Sequence, residues 1–139
     1  MVAKRGITLP IKVLVVDSTK ITDQLSRDTL VPLGCQIITA SSTALALFLA
    51  RKNFPALIIN GVRSTDDVEL PQEVKVDPEL SHIPVVVVAD AADDGMLKRV
   101  KNSGAAKVLA QPLSPEKFFE ELRPYLVERR DNRAGETPE

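Results

Sequence analysis

The sequence predicts an open α/β fold, with five parallel strands in one sheet and helices on both faces. Two observations carry this reading. Val13 to Val16, Ala56 to Ile59 and Val85 to Val88 are continuously apolar and rich in β-branched residues, as strands covered on both faces are. The stretches between them space their apolar residues at helical intervals, and strand–helix alternation with short connections demands right-handed crossovers and hence a parallel sheet. The remaining strands are read at Gln36 to Ala40 and Lys107 to Ala110.

Taken in order, Ser18 or Thr19 caps a first helix carrying Ile21, Leu25 and Leu30, which ends before Pro32-Leu33-Gly34. Ser41 or Ser42 caps a second, with Leu45, Phe48 and Leu49 on its inner side and Phe54-Pro55 beyond its end. The third has little room for regular helix and is expected to be the shortest, because Pro71 is tolerated only near the first turn and Asp77-Pro78 closes the segment. Asp93 or Asp94 opens a fourth, through Met96, Leu97 and Val100 to Gly104. Ser114-Pro115-Glu116 opens a fifth, with a cap and Pro at the first helical position. Of Phe118 and Phe119, one is expected to face the core. Residues 1–10 read as an N-terminal leader, residues 11–128 as the folded domain, and residues 129–139 as a polar tail without regular structure.

Composition narrows function. The chain has 139 residues, enough for one domain with a single core, and its 44% hydrophobic and 27% charged content is that of a soluble globular protein. A formal net charge of -1 offers no electrostatic reason to expect nucleic acid or an anionic membrane as partner. One cysteine, Cys35, excludes an intramolecular disulfide and reads as a small core residue. No apolar stretch at the start resembles a secretory signal or a spanning helix, so a cytoplasmic location is expected. There is no Gly-rich phosphate loop, nucleophile elbow or metal-ligand cluster, so neither an enzyme nor a bound cofactor or metal is expected. His82, in a loop beside Pro84, reads as a surface histidine.

In open parallel sheets the functional crevice lies outside the carboxyl ends of the strands. Those ends carry Asp17-Ser18, Asn60-Gly61, Ala89-Asp90 and Gln111-Pro112. From Ile11 to about Leu126 the chain resembles the receiver domain of bacterial response regulators, through Lys12-Val13-Leu14-Val15-Val16-Asp17, the run from Asp77 to Val85, and the run from Ser103 to Pro112 leading into Leu113-Ser114-Pro115-Glu116. The resemblance implies the flavodoxin-like strand order 2-1-3-4-5 and a place in two-component signalling or a phosphorelay.

It also implies a pocket whose chemistry has been lost. The family places two adjacent acids after the first strand and a phosphoacceptor Asp at the end of the third, since three carboxylates hold a largely hydrated Mg²⁺ beside the transferred phosphoryl group. Asp17 matches the first acid, but Ser18 stands in place of the second. The phosphoacceptor position falls on Gly61 or, with a slip of one residue, on Asn60, and neither forms an acyl phosphate. The family's phosphoryl-binding hydroxyl matches Ala89, its Lys matches Gln111, and its aromatic switch residue matches Val108.

The expected function is therefore that of a pseudo-receiver, a protein-interaction module that works without phosphorylation. The alternatives are a phosphoaccepting regulator using a non-standard acid such as Asp66 or Asp67, and a small-ligand sensor using the emptied pocket. Asp66, Asp67, Asp90, Asp93 and Asp94 make the crevice rim acidic, and Asp93 and Asp94 equally suit the N-terminus of the fourth helix. By analogy with the family, the partner face, for another signalling protein or a second copy, comprises the fourth helix, fifth strand and fifth helix. Lys98, Lys101, Lys107, Lys117 and Arg123 give it a basic cast, with Glu120 and Glu121 interspersed. Gln111-Pro112 resembles the family's cis peptide, in a structural role.

Overall fold

The structure, a computed structural model, describes residues 11–16, 21–62, 69–89, 94–111 and 113–136. Strands and helices alternate in the order β1 (Lys12–Val16), α1 (Ile21–Leu30), β2 (Gln36–Ala40), α2 (Thr43–Asn53), β3 (Leu57–Val62), α3 (Glu69–Val76), β4 (Val85–Ala89), α4 (Asp94–Lys101), β5 (Lys107–Ala110) and α5 (Pro115–Glu136). Every strand pair is parallel, and the sheet order is β2-β1-β3-β4-β5, the flavodoxin-like arrangement expected from the sequence.

Side-chain alternation along the strands divides the core into two layers. Leu14, Val16, Ile58, Val62, Val85, Val87 and Ala89 form one with Ala46 and Ala50 of α2 and Leu70 and Val74 of α3. Val13, Val15, Leu57, Ile59, Val86 and Val88 form the other with Leu30 of α1 and Phe118, Leu122 and Leu126 of α5. Central strands buried on both faces must be apolar at every position, which is why β1 and β4 lack a polar alternation. Cys35 joins the second layer.

The helix ends follow local chemistry. α1 runs into a short 3₁₀ turn at Val31–Leu33 and stops at Gly34, whose φ of 92° is the left-handed conformation that glycine adopts without strain. Ser42 caps α2, its hydroxyl accepting from the Leu45 N–H at 3.2 Å. Ser114 does the same for α5, accepting from the Lys117 N–H at 3.1 Å with Pro115 as the first helical residue. The caps expected at residues 17–20 lie outside the described residues, as do the side chains of Ile21, Met96, Leu97 and Val100.

Four features differ from expectation. β3 continues past Ile59 to Val62, because Asn60, Gly61 and Val62 keep their pairing with β4. The inner face of α2 is Ala46 and Ala50, flanked by partly buried Leu47 and Leu49, whereas Leu45 and Phe48 face solvent. This helix is apolar nearly all round, so its pattern fixes no phase, and the two alanines allow the closest approach to the sheet. α3 is a regular helix of 8 residues, as long as α4, since Pro71 falls in its first turn and Leu70, Pro71 and Val74 form a buried stripe. α5 continues through Glu136, past the boundary at Arg129 that composition marked, over the helix-favouring residues Glu128, Arg129, Arg130, Arg133 and Ala134.

Candidate functional site

The chain runs from β1 outward to β2 and then returns to β3 on the other side of β1, so the strand order reverses between β1 and β3. The carboxyl ends at such a reversal are where an open α/β sheet presents its binding crevice. Asp17 and Ser18 after β1, residues 63–68 after β3 with Asp66 and Asp67, Asp90 and Asp93 after β4, and Pro112 with its peptide bond lie outside the described residues. Only the backbone of Asp94 is described. Asn60, Gly61, Ala89 and Gln111, at the carboxyl ends of β3, β4 and β5, form the described part of the crevice floor, and Val108 lies further back in β5.

Strand register fixes their relations. Asn60 lies between Val16 of β1 and Val87 of β4, Gly61 is opposite Val88, and Val62 is opposite Ala89. Alternation sends Asn60 to the α2/α3 face with Ile58 and Val62, where it is 3% exposed, while Gly61 sits half-buried between them. Ala89 is fully buried and pairs onward with Ala110, and Val87 pairs with Val108, which packs half-buried against the same layer. Gln111, just beyond β5, donates its backbone N–H to the Ala89 carbonyl at 2.9 Å and is itself half-buried.

This floor presents no carboxylate, hydroxyl or ammonium group from Gly61, Ala89 or Gln111. A hard divalent cation needs oxygen ligands, preferably anionic, and these positions supply a glycine, a methyl group and a neutral amide. Of the positions where the family holds Mg²⁺, only Asn60 and Gly61 are described, and neither offers a carboxylate. Among the described residues no three His, Cys, Asp or Glu side chains gather into a possible metal site.

The α4–β5–α5 face is less basic than its composition suggests. Lys107 and Lys117 both reach Glu121, at 2.8 Å and 3.3 Å, so one acid links the edge strand to α5 and offsets two of the candidate cations. The hydrogen bond from Lys107 lowers the Glu121 pKa and the same bond raises that of Lys107. Lys98, Lys101 and Arg123 are exposed and form no ion pair with another described residue. Lys117 and Glu121 are i, i+4 neighbours on α5, whereas the tertiary fold brings Lys107 to the same acid. His82 is exposed, as expected, and borders a cleft of about 240 Å³ with Lys75 and Ser81 at the amino ends of β4 and β5, the end of the sheet away from the crevice.

Known proteins of similar sequence and shape share one description. The chain is 31% identical over 116 residues to the polar-differentiation response regulator DivK of Brucella ovis, covering 82% of this chain and 94% of that protein. It is 30% identical over 120 residues to the DivK of Brucella anthropi, covering 85% and 98%. No family model matches the chain. Among solved structures, the signal receiver domain of a signal transduction histidine kinase from Syntrophus aciditrophicus superposes with a TM-score of 0.76 at 20% identity, covering 86% of this chain and 92% of that one. A response regulator from Thermotoga maritima gives 0.73 at 20% identity, covering 86% and 99%. The chemotaxis response regulator CheY4 of Vibrio cholerae gives 0.70 at 24%, covering 82% and 97%.

Proposed function

The chain belongs to the response regulator receiver family of bacterial signalling, and from that premise we propose that it is a pseudo-receiver, a protein-interaction module that works without accepting a phosphoryl group. The observation that carries this reading is the register at the crevice. Gly61 is half-buried one residue before β3 ends at Val62, and Asn60 beside it is turned into the core, so neither position offers an acid to a phosphodonor. Ala89 and Gln111, in adjoining positions joined by a backbone hydrogen bond, lack the hydroxyl and ammonium groups that would bind a phosphoryl oxygen.

In a working receiver the phosphoryl group shifts an equilibrium between two states by binding one of them better. With Ala89 and Gln111 on the crevice floor and Val108 in place of the family's aromatic, the differential contact is gone, and the partner face is held in one state. That face is α4, β5 and α5, where, of the candidate cations, Lys98, Lys101 and Arg123 form no ion pair with a described acid. The partner is a signalling protein in the cytoplasm, and neither catalysis nor nucleic-acid or membrane binding is part of the role. Within the described residues, no helix is long and apolar enough to cross a membrane.

Incubation with acetyl phosphate and Mg²⁺ followed by intact-mass measurement tests the reading, with no added phosphate expected. A hydroxylamine-sensitive adduct on Asp66 or Asp67 would overturn it in favour of a phosphoaccepting regulator. Beryllofluoride, a phosphoryl mimic, is expected to leave partner affinity unchanged. A tenfold change would correspond to about 1.4 kcal/mol of coupling and a pocket that still signals.

A further inference from the structure

Three polar side chains converge on the cleft at the amino ends of β4 and β5, and we propose that this cleft binds a small phosphate monoester. Lys75, in the last turn of α3, and Ser81 and His82, in the loop before β4, all line its volume of about 240 Å³. None of the three side chains forms a hydrogen bond or ion pair with another described residue. The lysine can only donate, and the hydroxyl and the imidazole can each donate once. No carboxylate lines the cleft among the described residues, so the groups that meet there favour an anion. Asp77, two residues after Lys75, gives its carboxylate to Arg51 and to the Glu79 N–H instead.

A lysine in the last turn of a helix complements the helix dipole in any setting, but here a second feature fixes its stem. Gly104, in the turn into β5, has a φ of 100°, and a Cβ there would lie 3.0 Å from Lys75 Cδ and 3.7 Å from the Pro71 carbonyl oxygen. The missing side chain lets the turn close on the lysine stem, which gives up rotamer freedom before any ligand arrives. The loop opposite is also held. The Asp77 carbonyl accepts from the Leu80 and Ser81 N–H groups at 3.0 Å and 2.8 Å, and the Leu80 carbonyl accepts from the Ile83 N–H at 2.9 Å. The Val85 carbonyl accepts from the Ala106 N–H at 2.8 Å, tying this loop to the β5 turn. A phosphate monoester has three terminal oxygens, one for each donor group, whereas a carboxylate has two. Pro71, Val74 and Ile83 are buried beneath the polar groups and give the organic part an apolar wall. The volume suits a ligand smaller than the drug-sized molecules that fill pockets of about 300–1,000 Å³.

The cleft lies at the end of the sheet away from Ala89 and Gln111, so the proposal stands whether or not the crevice accepts phosphate. Amide chemical shifts of the full chain, titrated with phenyl phosphate in a phosphate-free buffer, test it. Saturable shifts are expected at residues 81–83 and 104–106, with inorganic phosphate binding about threefold or more weakly for want of an apolar part. Lys75→Gln, an exposed position, is expected to weaken phenyl phosphate binding by about tenfold with the remaining spectrum unchanged, and Lys98→Gln to leave it within about twofold of native. The absence of saturable shifts up to about 20 mM ligand overturns the proposal. So do shifts centred on Asn60, Ala89 and Gln111, binding that Lys75→Gln leaves intact, inorganic phosphate that binds as tightly as the monoester, or phenol that binds as tightly as phenyl phosphate.

Discussion

The Arg51 guanidinium, near the end of α2, donates a 2.6 Å hydrogen bond to the Asp77 carboxylate, just past the end of α3. The other Asp77 oxygen accepts from the backbone N–H of Glu79 at 2.9 Å. Both bonds lower the Asp77 pKa, the Glu79 bond more than Arg51. A lowered folded-state value stabilises at pH above the ordinary Asp range, near 3.9, and the contribution fades as pH falls through that value towards the folded one. Asp77→Asn keeps an acceptor for Glu79 and loses the ion pair, whereas Asp77→Ala loses both. Urea midpoints at pH 7 are expected to fall from native to Asp77→Asn to Asp77→Ala. The gap between native and Asp77→Asn should narrow at pH 3, and a constant gap would show that the charge is not what stabilises.

Restoring the family's hydroxyl should cost stability. Ala89 is fully buried among close-packed strand residues, so Ala89→Thr adds a β-branched side chain where there is no room. Such overpacking destabilises by about 1–3 kcal/mol. Denaturant titration is expected to show this loss, and an unchanged midpoint would mean that space exists at the end of β4. Gly61→Asp alone should not make the chain respond to beryllofluoride, as read by amide chemical shifts, because Ala89 and Gln111 still offer the mimic no hydroxyl or ammonium.

Burial divides the large apolar residues sharply. Phe118 is 0% exposed on α5, and Leu33 is 55% exposed beside the Gly34 turn. Phe118→Ala is expected to lower stability by about 3–5 kcal/mol, from lost transfer energy and the cavity left behind. Leu33→Ala should stay within about 0.5 kcal/mol of native. Comparable losses in the two variants would contradict the packing of α5 on the sheet.

Pro124 stands inside α5 and is exposed. It has no N–H to give the carbonyl of Glu120, and its ring crowds the preceding turn. Pro124→Ala restores the bond without removing buried contacts, so it should raise stability by about 1–3 kcal/mol. The melting temperature reads this directly, and a fall would mean that the proline makes a favourable contact its exposure conceals.

The five strands, their parallel sense and most helix ends were legible in the sequence because local rules decide them, and the strand order came from the resemblance to the receiver family. Continuous β-branched runs mark strands buried on both sides, Ser42 and Ser114 supply caps, and Gly34 supplies the left-handed turn. The substitutions at Ala89 and Gln111 were equally visible, since the chain aligns without gaps from Ile83 to Pro112, whereas after the third strand the sequence left Asn60 and Gly61 open. Tertiary structure decided the rest. α2 is apolar nearly all round, so only contact with the sheet shows that Ala46 and Ala50 face inward and leaves Phe48 outside. The β3–β4 register puts Asn60 and Gly61 on opposite faces of the sheet, because alternation assigns faces once pairing is fixed. Lys107 meets Glu121, and Arg51 meets Asp77, across distances in sequence that no local period reports. Local pattern determined which elements form, and long-range packing determined which side of each element was left to act.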